Sequence, residues 1–505
     1  MTTETSTKRP TLFQSLLPIV ILIAMLAANV FFFGEDSSYG SNQIALLVAA
    51  AMAAVVGVGI GKKWKEIYRG IVESIGSAMG AIIILLFIGA LAGTWLLSGI
   101  VPAMIYYGLK VLNPEIFLLA SCVICAVVSI ATGSSWSTVA TVGIALLGIG
   151  SALGISEGWV AGSIISGAYF GDKMSPLSDT TNLAPAVAGT DLFTHIRHMV
   201  HTTVPSISIA ILVYIIVGLQ GSGDYDPARV DELTHIVNET FNITPMLFLV
   251  PVAVILLIVK RMPAIPALMI GSLLGGFFAL VYQPEIVAQI AEDAHGGTLS
   301  NYFQQCYIAM MASLMQATTV NLPEGLAASP ESQEALVRLL SAGGMSGMMN
   351  TIWLIICALT FGGVMQACGF LKRITAGLLT LVSSRGSLIL TTSGTCIFFN
   401  VTASDQYIAI VVPGKMFADA FRDYDLAPKN LSRTLEDSGT VTSVLIPWNT
   451  CGVAQSGVLG VAVLAYAPYA IFNWISPLMT IFFGYMGWKL TPLSSVSEKV
   501  EAHAQ

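Results

Sequence analysis

From Tyr169 to Pro185 the chain reads YFGDKMSPLSDTTNLAP. Two aspartates, a lysine, two prolines and a run of hydroxyls and amides stand between WVAGSIISGA and SISIAILVYIIVG, two segments as apolar as lipid. Charged groups and non-helical backbone are too costly to face hydrocarbon, so inside a membrane they face protein or a water-filled cavity. If the surrounding chain spans a bilayer, this stretch marks an internal site.

The composition says that it does. The chain has 505 residues, 55% hydrophobic and 10% charged, with mean hydropathy +0.78, whereas a soluble domain carries about 25% charged residues. Thr11–Phe33 and Asn42–Ile60 contain no charge at all, and about 20 apolar residues cross the hydrocarbon core. Further apolar runs fall near 75–99, 115–132, 136–154, 157–171, 203–219, 243–259, 264–283 and 350–371, and continue through 374–400, 405–418, 438–448 and 457–488. The fold expected is an all-α polytopic membrane protein with about eleven to thirteen transmembrane helices. Lys8 and Arg9 precede the first run, but its 23 residues exceed the roughly 7–15 of a signal peptide, so it reads as a retained span.

Other classes fit poorly. No basic tract points to nucleic acid, and the net charge of −7 is carried mainly in loops. CVIC at 122–125 has redox spacing without the soluble βαβ context, so Cys122 and Cys125 read as packing residues. His195, His198 and His201 share a helix face and read as an interfacial, pH-responsive segment rather than a metal site. No transition metal and no cofactor is expected.

Lysine and arginine in short loops set orientation. GKKWKEIYRG (61–70) is rich in both, while GEDSSYGS (34–41) has neither; THIRHM (194–199), Lys260–Arg261 and Lys372–Arg373 fall on the same side. The segments 220–242 and 284–342 read as acidic loops on the other side, the second holding an interfacial helix at 301–320. The N-terminus is therefore expected in the cytoplasm. Gly76 with Gly80 and Gly89 with Gly93 have the spacing of close helix packing.

The polar stretch has counterparts. SIATGSSWSTVATVG (129–143) interrupts an apolar run, as do TTSGTCIFFNVTASDQYIA (391–409) and LEDSGTVTSVLIPWNTCG (435–452). Thr132-Gly133-Ser134 is similar to Ser393-Gly394-Thr395, and an aspartate follows each glycine at comparable distance, Asp172 after 39 residues and Asp437 after 43. The span 75–99 runs outward and the span 350–371 inward, so the halves read as inverted repeats with a site where broken helices meet. The division expected is 1–70 as N-terminal spans, 71–220 as the first repeat, 221–342 as connecting spans and extracytoplasmic segment, 343–490 as the second repeat and 491–505 as a polar tail.

Pro176, Pro185 and Pro447 free backbone carbonyls, and carbonyls, hydroxyls and carboxylates are hard oxygen ligands suited to Na⁺. Adjacent carboxylates in low dielectric repel, so one holds a proton until a cation enters and expels it. Asp179, in SDTTN, is a candidate carrier or a helix N-cap. Asp172 is a candidate carrier or the internal partner of Lys173. Asp405 and Asp437 are the candidates of the second half, with Glu436 read as facing the cytoplasmic loop beside Arg433. Asn182, Thr180, Thr181, Ser134, Ser135, Asn400, Thr402 and Asn449 are candidate oxygen ligands, or else hydrogen bonds between helices.

GDKMSPLSDTTNLAPAVAGTDLFTHIRHM (171–199) resembles the signature of the NhaC family of Na⁺/H⁺ antiporters, and TGSSWSTVATVG and EDSGTVTSVLIPWNTCG fit it too. The resemblance implies a carrier of the bacterial inner membrane that exchanges Na⁺ for H⁺ by alternating access. It also implies re-entrant hairpins, a scaffold part, a mobile transport part and a homodimer. Relatives in that family exchange organic acids such as malate and lactate, so an organic-acid or amino-acid carrier is the alternative. Such a carrier wants a fixed midplane cation for a carboxylate, and Lys173 is the candidate. A channel, a membrane enzyme and an ATP-driven pump lack a continuous polar path, a nucleophile with its base, and a P-loop, respectively.

Overall fold

The computed structural model describes residues 9–33, 40–221, 225–323, 329, 336, 340–380 and 382–494. Lys8, most of the loop 34–41, parts of 221–342 and the tail beyond Ser494 lie outside the described residues.

Eight helices are long and apolar enough to cross a membrane, from Leu12–Phe33 to Gly344–Ala367. Two further segments pass only as bent pairs: Pro227–Thr240 with Pro245–Val259 at 89°, and Thr450–Leu459 with Val463–Tyr469 at 88°. Glu157–Met174, Arg385–Thr402 and Gln406–Asp423 have 18 residues each, about 27 Å of helix. These three have the length of a span but fall outside the apolar set, since charged and polar residues lower their hydropathy. Eight and three make eleven, and the two bent pairs bring thirteen, among the described residues. The described strands are two residues each, Thr318–Thr319 pairing antiparallel with Ser341–Ala342.

One succession of elements occurs twice. A long helix, Met79–Leu97, ends at left-handed Gly99 and is followed by short Ile100–Val111. Likewise Met349–Ala367 is followed by left-handed Gly369 and Phe370–Leu379. Next come Pro114–Thr132 and, after a break, Ser135–Ala152; their counterparts are Arg385–Thr402 and Gln406–Asp423. Glu157–Met174 breaks at 175–178 and resumes as Asp179–Ala188, ending at left-handed Gly189. In the same way Pro428–Leu435 runs through π-helical Glu436–Thr440, breaks at 446–449 and resumes as Thr450–Leu459, ending at left-handed Gly460. Leu192–Leu219 and Ile471–Met486 close the two series.

All four polar stretches contain a break, but one lies elsewhere than its glycine suggests. Gly394 sits inside the unbroken helix Arg385–Thr402, and the chain turns at Ser404, φ 60°, before Asp405 caps the next helix. Ser404–Asp405 therefore stands where Gly133–Ser134 stands in the first half. The Ser-Gly-Thr likeness was local composition, whereas the turn needs a left-handed residue followed by a capping side chain.

Three segments read as loops contain helices. Trp64–Ser77 buries Ile67 and Ser74, and its Gly70 meets Gly363 and Ala367. Pro227–Thr240 buries Leu233, Ile236 and Val237, and Pro284–His295 buries Ile286, Val287 and Ile290. Apolar residues three and four apart make one buried stripe while the charges occupy the other face, and average hydropathy hides such a stripe. Tyr302–Met315, at the expected interfacial helix, packs closely on a span: a Cβ on Gly93 would lie 1.8 Å from the Ser313 carbonyl oxygen. Gly89 is packed as tightly, against Gly344, whereas Gly76 and Gly80 meet nothing within 4 Å.

The first pair of breaks touches at Gly133. Its φ is +70°, and a Cβ there would lie 2.6 Å from Leu177 Cβ, 2.7 Å from its carbonyl carbon and 2.9 Å from Ser178 N. Gly133→Ala is expected to cost more than the roughly 1–3 kcal/mol of a left-handed non-glycine residue, because backbone must also move. Thermal unfolding in detergent checks this, and a midpoint indistinguishable from that of the wild type would show that the breaks need not touch.

Candidate functional site

The helices Pro114–Thr132 and Glu157–Met174 approach backbone to backbone. A Cβ on Gly167 would lie 2.0 Å from the Cys122 carbonyl oxygen, and one on Gly171 would lie 2.4 Å from that of Ala126. Cys122 and Cys125 are free and buried at this seam. The seam carries Asp172 to the start of the next helix, where its Oδ2 accepts from Ser135 N at 3.1 Å and Ser135 Oγ at 2.7 Å. A helix N-terminus supplies such donors to a carboxylate. Ser134 caps the same helix, accepting from Ser137 N. Asp172 Oδ1 is buried and has no partner among the described residues.

Lys173 follows Asp172 but, about 100° further round the helix, points to the second half. Its ammonium forms an ion pair with Asp437 and donates to Ser476 Oγ at 3.0 Å. Ser476 donates in turn to Asp437 Oδ1 at 3.2 Å, and Thr202 Oγ1 donates to Oδ2 at 2.8 Å. Lys173 and Asp437 are both fully buried. Of the alternatives open for Asp172, the internal ion pair with Lys173 is not made; Asp437 takes that place.

Glu436 does not face a loop. It is fully buried, and its Oε1 accepts from Thr180 Oγ1 at 3.1 Å while Oε2 has no partner among the described residues. Glu436 and Asp437 lie in a π-helical turn that is buried throughout, and such turns often mark functional positions. Asp172 and Lys173 are both electrostatic neighbours of Glu436. Thr181 Oγ1 donates to the carbonyls of Asp172 and Lys173 at 3.2 and 3.1 Å, closing the hairpin. Sequence reading gave Glu436 to the loop because Arg433 precedes it by one turn; the signal to the contrary was the apolar run on its C-terminal side.

Asp179 and Asn182 lie on the exposed side of the hairpin. The Tyr407 hydroxyl donates to Asp179, joining the start of one short helix to the start of a helix in the other half. Asn182 Nδ2 donates to the carbonyls of Pro176 and Ser178 and holds the break in shape.

The second crossing is built from amides. Asn400 Nδ2 donates to the Gly439 carbonyl at 2.7 Å and to Thr442 Oγ1 at 3.1 Å, and Asn449 Nδ2 donates to the Asn400 carbonyl at 3.0 Å. Thr450 N donates to the Ser404 carbonyl at 2.9 Å. Asp405, 2% exposed, accepts from Ile408 N as a helix cap, and Thr402 Oγ1 donates back to the Phe398 carbonyl. Asp405 and Thr402 therefore stand apart from the contacts that join Asp172, Lys173, Thr180, Glu436 and Asp437.

Among the described residues no group of three or more His, Cys, Asp or Glu side chains is placed to hold a metal ion. His195 instead meets Ser432 Oγ at 2.8 Å through Nδ1. The oxygens that are open, on Asp172 and Glu436, are hard ligands that suit an alkali cation or a proton and not a thiophilic metal.

Known proteins place the chain. The model of the Na⁺/H⁺ antiporter family matches residues 167–488. The chain is 35% identical to the Na⁺/H⁺ antiporter NhaC of Alkalihalophilus pseudofirmus over 97% of this chain and 99% of that one. It is 33% identical to the malate-2H⁺/Na⁺-lactate antiporter of Bacillus subtilis, over 95% of each. It is also 35% identical to the arginine/ornithine antiporter ArcD of Halobacterium salinarum, over 96% of this chain and 93% of that one. Likeness of this extent, covering both crossings and the cluster between them, makes the chain a member of the Na⁺/H⁺ antiporter family.

Proposed function

We propose that this chain exchanges Na⁺ for H⁺ by alternating access across the bacterial inner membrane, as a secondary transporter without enzymatic activity or cofactor. One observation carries the reading. Two buried carboxylates from different halves, Asp172 and Glu436, each keep an oxygen without a partner among the described residues, while the third, Asp437, is neutralised by Lys173. An unpaired buried carboxylate is costly when charged, so it takes a proton or a cation. The pair is electrostatically coupled, so a cation bound between them disfavours protonation, and the two ions exclude each other. Ser135 and Thr180 are the hydroxyls bonded to these two carboxylates, and Asp179 with Tyr407 stands on the exposed side as an entrance group.

The two similar series of elements act as inverted repeats, 71–220 and 343–490, with the N-terminus in the cytoplasm and a homodimer as the assembled form. The rigid-body step moves one set of crossings against the other around the shared cluster. Lys173 is engaged by Asp437 and Ser476, which leaves it poorly placed to meet an organic carboxylate.

Sealed vesicles holding the purified protein and a pH-sensitive dye test this. A Na⁺ pulse with no organic solute present is expected to drive proton movement that ends when the Na⁺ gradient collapses. Proton flux that begins only when malate, lactate or an amino acid is added would replace this reading with the organic-solute exchanger.

A further inference from the structure

One turn before Asp437, on the same helix, stands a second buried cation that the exchange does not use. Arg433 is fully buried. Its Nη1 donates to the Lys489 carbonyl at 3.3 Å, while Nε and Nη2 have no partner among the described residues. Those two nitrogens form one edge of the guanidinium, the edge that receives the two oxygens of a carboxylate or phosphate side by side. Asp437 lies within electrostatic reach of Arg433 but makes no ion pair with it, since Lys173 holds it.

Other basic residues lie around it. His198 is buried, has no hydrogen-bond partner on Nε2 among the described residues, and lies within electrostatic reach of Arg433 and Lys429. His201 is an electrostatic neighbour of Arg433, Lys429 and Lys489. A buried guanidinium with no counter-charge costs several kcal/mol, and removing two N–H donors from water adds to that. Helix packing does not explain the open edge of the guanidinium, and an anion does.

We propose that this position is a binding site for a small oxyanion, a carboxylate or a phosphate, held side-on by Nε and Nη2 of Arg433 with His198 as a further donor. The site lies at the end of the bundle where Leu192–Leu219 and Pro428–Leu435 begin and Ile471–Met486 has ended. It is separate from the oxygens of Asp172 and Glu436. Anion occupancy offsets the positive field at Asp437, and so tunes how firmly Asp437 is held by Lys173 without itself being transported.

Equilibrium dialysis of the full-length protein in uncharged detergent, at fixed Na⁺ and ionic strength, tests this without any transport measurement. The probes are labelled inorganic phosphate and labelled acetate, with labelled chloride as the third arm. One saturable site per chain is expected for phosphate or acetate, and whichever binds identifies the source. Arg433→Lys is expected to weaken that binding at least about 10-fold, since a point charge loses the two-pronged edge, and Arg433→Gln to abolish it. His198→Gln, which keeps Arg433 and is the milder change, is expected to weaken it several-fold. Absence of saturable oxyanion binding to the wild-type chain overturns the proposal, as does equal binding of chloride or undiminished binding in Arg433→Gln. If Arg433→Gln does not fold, undiminished binding in both Arg433→Lys and His198→Gln overturns it.

Discussion

Glu436→Gln and Asp172→Asn are each expected to lower Na⁺-driven proton flux about 100-fold or more while the protein remains inserted and folded. Each substitution keeps the shape and removes a buried charge that the cation would meet. Losing one partner of a buried charge interaction costs about 2–5 kcal/mol, and every 1.4 kcal/mol is about tenfold in affinity. The two effects should be strongly non-additive in the double variant, because both carboxylates answer to one ion. Asp179→Asn gives the contrast, since Asp179 is exposed and bonded to Tyr407; its loss should be smaller and should act on ion entry. The measurement is initial proton flux against Na⁺ concentration in vesicles. Wild-type Na⁺ dependence in Glu436→Gln would remove Glu436 from the site and reduce its burial to a structural matter.

The second large effect concerns stability. Lys173→Met leaves Asp437 charged and unpaired in a fully buried position, and Asp437→Leu does the same to Lys173. Breaking one side of a buried pair costs about 3–5 kcal/mol, whereas replacing both sides with packed apolar groups is often nearly neutral. Each single variant is therefore expected to unfold at clearly lower temperature, and the double variant to recover most of the loss. Ser476 and Thr202 would keep part of the penalty in the double variant, because their hydroxyls lose acceptors on Asp437. Thermal unfolding of the four proteins in one detergent decides it. Additive losses would mean that Lys173 and Asp437 are held by separate partners and that the halves are not joined through them.

How much of this was legible in the sequence varies by element. The spans near 115–132 and 264–283 agree with Pro114–Thr132 and Ala264–Tyr282 because both are uniformly apolar and bounded by prolines or polar turns. Trp64–Ser77 and Pro227–Thr240 were hidden because their apolar stripes are diluted by charges on the opposite face. At the site, SDTTN drew attention to Asp179 by its density of oxygen atoms, yet the hairpin turns Asp179 outward and Thr180 and Thr181 inward. Asn400 and Asn449 stood out as amides in apolar runs, and they bond each other across the second crossing.

The sequence by itself determined the solvent of this protein and the four polar stretches that hold its breaks. Both follow from properties summed or read locally: hydropathy over a span, a proline or a capping side chain at a turn. Only the tertiary structure decided which charges meet. Asp172 and Lys173 are neighbours in the chain, but the helix turns them to different partners, Ser135 and Asp437. Glu436 and Asp437 part in the same way, one to Thr180 and the other to Lys173. The pairing of Lys173 with Asp437 spans 264 residues, and no local signal encodes a partner at that distance. Burial then does the choosing: in low dielectric an ionised group persists only beside its counter-charge, so packing the two halves fixed which carboxylate is neutralised and which two remain open to an ion.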